Sequence, residues 1–118
     1  MSIPNTITAA ISNKRSALLV LTTAAQALIT NPISSGRSIS INTLYVCNVS
    51  GAAATVDADI FRAGVAIRIA KGVNVPVAGT VAIVDRTDVL TLEEGDALRL
   101  TASANTALEA TCAYETLS

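Results

Sequence analysis

Asp57 and Asp59 stand two residues apart, and Glu93, Glu94 and Asp96 crowd one short turn around Gly95. Paired carboxylates can supply the acid and base of glycoside chemistry. Acids around a glycine can offer oxygen ligands to a hard cation. Cys47 and Cys112, the two cysteines, could pair or supply a nucleophile. The chain has no His, so neither Ser nor Cys has its usual general base. Sugar chemistry also needs stacking aromatics, and only Tyr45, Phe61 and Tyr114 are present. The acidic turn lacks the DxDxDG spacing of a calcium loop. Glycines fall singly at turns, which leaves no phosphate-cradling loop. Asp57 and Asp59 therefore read as the exposed polar face of a strand. Residues 93–96 read as a solvated turn in which Gly95 supplies an unusual backbone angle. No catalytic, metal or cofactor-binding residue is expected.

The segments that position these residues are strands. Val56, Ala58 and Ile60 alternate with Thr55, Asp57 and Asp59, the period of two that marks a half-buried strand. Similar runs cover Ser38–Val49, Thr55–Phe61, Val65–Ala70, Val73–Val77, Thr80–Val84, Ala97–Ser103 and Leu108–Thr116, with turn residues between them. Ser16–Thr22 adds a short apolar run that favours strand, and Gln26–Thr30 is expected to continue it. The pattern predicts an all-β fold: a single antiparallel β-sandwich, jelly-roll-like, of about seven to nine strands. The sandwich is expected over residues 16–118 and an extended N-terminal arm over residues 1–15. The arm is polar and rich in Thr, Ser and Asn, with Ile3, Ile7 and Ile11 as candidate subunit contacts. In the longest strand Ile39, Ile41, Tyr45, Cys47 and Val49 share one face by parity. Leu44 and Val46 then fall on the polar side, which makes them further candidates for a subunit contact. Lys71-Gly72 reads as a turn between two strands. Tyr45 and Tyr114 are expected to point toward the core.

Bulk properties bound the function. At 118 residues the chain makes one domain. It is 51% hydrophobic and only 14% charged, against about a quarter charged in an ordinary soluble chain. Such a surface suits a subunit covered by other chains. The net charge of -1 argues against a nucleic-acid binder or an anionic-membrane binder, whose footprint needs clustered Lys and Arg. No apolar run reaches the ~20 residues of a membrane helix. Ala17–Ala25 after Lys14-Arg15 imitates a secretory leader, but it is expected to be part of the folded chain. Residues 1–56 carry Lys14, Arg15 and Arg37 and no acid, while most acids lie beyond Asp85. Opposite-sign regions of this kind can steer contact between copies. Both cysteines lie in the apolar phase of their strands and are expected as buried free thiols in a reducing compartment. A disulfide stays open if their strands are neighbours.

Residues 44–61 (LYVCNVSGAAATVDADIF), 69–80 (IAKGVNVPVAGT) and 89–104 (VLTLEEGDALRLTASA), closing on Tyr114-Glu115, together resemble a cadence of small virion structural proteins of tailed bacteriophages. The likeness spans about two-thirds of the chain and consists of strands and turns, so no binding residues carry over. It implies a non-enzymatic β-sandwich component of the virion. Within that class it implies a capsid decoration (cement) protein that contacts the major capsid protein and its own copies, commonly as a homotrimer, or a neck, collar or tail part that anchors a fibre or ring. A carbohydrate-binding module is the alternative outside this class, and it would need exposed aromatics or a cation site.

Overall fold

Side chains at i and i+2 of an extended chain share a face, and small and β-branched residues tolerate that geometry well. The computed structural model describes residues 12–85, 87 and 89–117, and nine strands form among them. They are β1 (Ser12–Val20), β2 (Gln26–Thr30), β3 (Ser38–Asn48), β4 (Ala54–Arg62), β5 (Val65–Val75), β6 (Thr80–Val84), β7 (Leu90–Leu92), β8 (Ala97–Ala102) and β9 (Leu108–Leu117). Sheet 1 runs β1-β9-β3-β6, with β7 also paired to β3; sheet 2 runs β2-β8-β4-β5. Every pairing is antiparallel. The expected β-sandwich is the observed fold.

The two sheets enclose one core in which Leu21, Ile41, Leu44, Leu92, Leu98, Leu100 and Leu108 have no exposed surface. Strand β4 keeps the expected phase: Val56 and Ala58 are buried in the core and Ile60 packs against it. Two buried asparagines tie loops to strands. Asn31 Nδ2 donates to the carbonyls of Arg37 and Leu92, and its Oδ1 accepts from Ser35 Oγ at 2.7 Å. Asn48 Nδ2 donates to the carbonyls of Ala52 and Val75, and its Oδ1 accepts from Ser50. Each satisfies backbone groups where a strand ends and no ladder partner remains.

Several expectations change. Gln26–Thr30 does not continue β1; it crosses to sheet 2 and pairs with β8. Lys71-Gly72 does not end a strand. Gly72 takes φ +61 inside a continuous β5, and its N–H donates to Asp57 Oδ1 at 2.7 Å. A glycine in the left-handed region accommodates a bulge without breaking the strand. Strand β1 begins at Ser12, inside the segment expected as the arm. Ile3, Ile7 and Ile11 lie outside the described residues.

The largest correction concerns β3. Ile41 pairs with Tyr114 and Thr43 with Ala113, so Asn42 is an extra residue with no partner in β9. This bulge shifts the side-chain phase by one residue. Leu44 and Val46 turn into the core with no exposed surface, and Tyr45 turns outward. Leu44 and Val46 thus have no surface to offer another subunit.

Candidate assembly surfaces

The two outer faces of the sandwich differ in chemistry. On sheet 2 the outward charges are paired with one another, and its edge strand β5 also exposes Val65, Ile67 and Ile69. Asp59 faces Arg99 across β4–β8 and Arg68 across β4–β5. Arg99 Nε donates to Asp59 Oδ1 at 2.9 Å, and Arg68 Nη1 lies 3.5 Å from Oδ2. The Arg99 guanidinium also sits 4.1 Å from the centre of the Phe61 ring, a cation–π contact. Asp59 points away from the core, yet it is buried because these two arginines cover it. Asp57 accepts from Gly72 N–H and lies 3.8 Å from Lys71 Nζ. The two aspartates therefore tie neighbouring strands of the sheet together.

The acidic turn is equally committed. Asp96 has no exposed surface and takes a bidentate grip from Arg62, with Nε to Oδ1 at 2.6 Å and Nη2 to Oδ2 at 2.7 Å. The Glu93 N–H donates to the same carboxylate at 2.8 Å. These contacts, led by the Arg62 hydrogen bond, hold the Asp96 carboxyl below its ordinary pKa. Glu94 accepts from the N–H of Gly36. Gly95 sits at φ +88, the special angle expected of it. The turn is a structural clasp between β7, β8 and the end of β4. Among the described residues, no three His, Cys, Asp or Glu side chains gather as metal ligands.

Sheet 1 is different. The registers align Leu18 of β1, Thr111 of β9, Tyr45 of β3 and Ala82 of β6 in one row across four strands. The next row is Val20, Glu109, Cys47 and Thr80. Leu18 is 74% exposed, Val20 48% and Tyr45 43%. Alternation explains the orientation: Ala17 and Leu19 of β1 pack on the core, so Leu18 and Val20 must face away. A shallow groove of about 300 Å³ runs along Leu18, Val20, Glu109 and Thr111. Parity in β3 had hidden this face, because Tyr45 was assigned to the core. The exposed phase of Leu18 and Val20 was not readable in β1, because Leu18, Leu19, Val20 and Leu21 are all apolar and show no alternation.

The cysteines lie on neighbouring strands but on opposite faces. Cys112 is opposite Leu44 and buried in the core; Cys47 is opposite Glu109 on the outer face and half-buried. Both are free thiols. Their side chains point to opposite sides of the sheet, so they cannot bridge within one chain. Burial pushes the Cys112 thiol up to about 12. Tyr114 packs against the core as expected.

No protein-family model matches the chain. No curated protein matches it in sequence. Solved structures share its fold, two of them as follows. One is from Bacillus endospore appendages, described as a novel family of disulfide-linked pili; it has a TM-score of 0.57 at 13% identity, covering 92% of this chain and 88% of that one. The other is from the acidic stable capsid of the Helicobacter pylori bacteriophage KHP30; it has a TM-score of 0.51 at 6% identity, with the same coverage of 92% and 88%. At these identities the likeness is one of fold: this chain shares its sandwich architecture with a pilus protein and a phage capsid protein.

Proposed function

We propose that this chain is a non-enzymatic structural subunit of a phage virion, and more narrowly a capsid decoration (cement) protein. It would stabilise the head shell through contacts with the major capsid protein and with its own copies. The observation that carries the reading is the outer face of sheet 1, which leaves Leu18, Val20 and Tyr45 uncovered in adjacent rows. Sheet 2 pairs its outward charges with one another, although its edge strand β5 also exposes Val65, Ile67 and Ile69. Adjacent exposed apolar side chains mark an interaction surface. The low charge content and the fold shared with a capsid protein support the same class. Neither acidic cluster leaves a free carboxylate pair, which supports a role without catalysis. The trimer common among cement proteins is part of this proposal.

Quantitative mass spectrometry of purified virions tests it. Copy number on the scale of the major capsid protein is the expected result. Absence of the chain from particles would sink the virion reading.

The second reading is a neck, collar or tail component that anchors a fibre or ring. The fold shared with a pilus protein favours it. Copy number separates the two, since a neck or tail ring holds far fewer copies than a shell.

A further inference from the structure

One arginine of β1 stands in the phase that faces the core. Ala17 and Leu19 pack on the core, and Arg15 shares their side of the strand, opposite Tyr114 of β9. Arg15 is nonetheless exposed, so its guanidinium reaches out of the interior at the end of the sandwich. There it lines a cavity of about 420 Å³ that opens between the two sheets. Thr30 at the end of β2, Arg37 from the loop before β3, and Tyr114 and Thr116 of β9 line the same cavity.

The lining side chains are rich in donors and hold no negative charge. No acidic residue lines the cavity. Among the described residues neither guanidinium makes an ion pair, whereas Arg62, Arg68, Lys71 and Arg99 all do. The hydroxyls of Thr30, Tyr114 and Thr116 hydrogen-bond to no side chain or backbone group. Asn31, which also borders the cavity, has its amide spent on Ser35, Arg37 and Leu92. Acids do border both arginines outside the cavity: Glu93 and Glu94 share a second cleft with Arg37, and Glu115 shares one with Arg15 and Lys14. Each is engaged elsewhere. Glu93 lies 3.9 Å from Arg62, Glu94 accepts from the Gly36 N–H, and Glu115 accepts from Asn42 Nδ2.

We propose that this cavity is a binding site for an oxyanion, a phosphate or carboxylate group, held by Arg15 and Arg37. A cation would meet two positive charges there, and a neutral ligand would leave both unpaired. The planar fork of a guanidinium matches the paired oxygens of a carboxylate or phosphate. Hydroxyls on the same wall add donors to the remaining oxygens. The site stands independently of the virion role, which copy number in particles tests separately.

Calorimetric titration of the full chain with inorganic phosphate and with succinate is the test, at an ionic strength held constant with chloride. Saturable binding of at least one of them, at roughly millimolar concentration or below, is expected. The tighter of the two assigns the group as phosphate or carboxylate. Arg15→Gln and Arg37→Gln are each expected to weaken binding about tenfold. Arg15→Lys keeps the charge but loses the fork, and is expected to weaken binding less than Arg15→Gln does. Lys14→Gln, on the adjacent outward position, is expected to change binding less than about twofold. Both arginines are exposed, so all of these variants are expected to keep the wild-type melting curve without the anion. Should a glutamine variant fail to fold, Arg15→Lys still reports on the fork. Absence of saturable binding by either anion overturns the site. Binding that survives the double replacement of Arg15 and Arg37 overturns it too, as does a loss in Lys14→Gln equal to that in Arg15→Gln.

Discussion

Arg62 and Asp96, 34 residues apart in sequence, close the end of the β4–β5 hairpin onto the β7–β8 turn through two parallel hydrogen bonds of 2.6 and 2.7 Å. The carboxylate is buried and the guanidinium is more than half exposed, so solvent screens part of the attraction. Removing the carboxylate also strips an acceptor from the Glu93 N–H. Asp96→Ala should cost on the order of 2 kcal/mol by chemical denaturation.

That contribution depends on pH in a defined direction. The Asp96 carboxyl is held below its ordinary value, chiefly by the Arg62 hydrogen bond. A depressed folded-state pKa stabilises the fold fully above the unfolded value near 3.9 and loses that contribution as pH falls through the folded pKa. The stability gap between wild type and Asp96→Asn should therefore be constant near neutrality and shrink below about pH 4. Melting curves of both proteins across that range check it; a gap that widens on acidification would contradict the assignment.

Asn42 is the extra residue that sets the parity of Leu44 and Val46 in β3. Leu44→Ala should cost about 3 kcal/mol by leaving a core cavity, while Leu18→Ala should stay within about 0.5 kcal/mol. Deleting Asn42 removes the bulge and leaves Ile41, Thr43 and Leu44 in plain alternation opposite Tyr114, Ala113 and Cys112, so Leu44 and Val46 stay inward and Tyr45 outward. The deletion should therefore lower the melting temperature less than Leu44→Ala does. A deletion variant that melts below Leu44→Ala would disprove the assignment of Asn42 as the extra residue.

The cysteines should differ in reactivity. Cys47 sits half-buried on the outer face, whereas Cys112 lies in the core with its thiol pushed up to about 12. A thiol reagent at mildly alkaline pH should modify one thiol readily and the second only on unfolding. Cys47→Ser should abolish the fast phase. Equal rates for both thiols would place Cys112 outside the core.

The β4–β5 turn carries correctable strain. Ala63 and Gly64 have φ +52 and +79, the two positive angles of a hairpin turn that prefers Asn-Gly. A non-glycine residue there costs roughly 1 kcal/mol. Ala63→Asn should raise stability by about 0.5 kcal/mol, read as a higher denaturation midpoint. An unchanged or lower midpoint would count against the turn geometry.

Strand content, the sandwich class and most turns were legible in the residues alone. The reason is local: alternation with a period of two and the punctuation of Gly64, Gly79 and Gly95 are properties of adjacent residues. The phase of Val56, Ala58 and Ile60 was legible for the same cause. What the tertiary structure decided rests on partners distant in sequence. Asn42 is a bulge only because β9 offers it no partner, and that one residue exchanges Leu44 and Val46 for Tyr45 at the surface. Gly72 continues a strand because Asp57 accepts its N–H. Asp59 is covered because Arg68 and Arg99 arrive from two other strands. The sequence by itself determined that this chain folds into strands. Only the pairing of strands far apart in the chain decided which acids are neutralised and which face of the sandwich stays open.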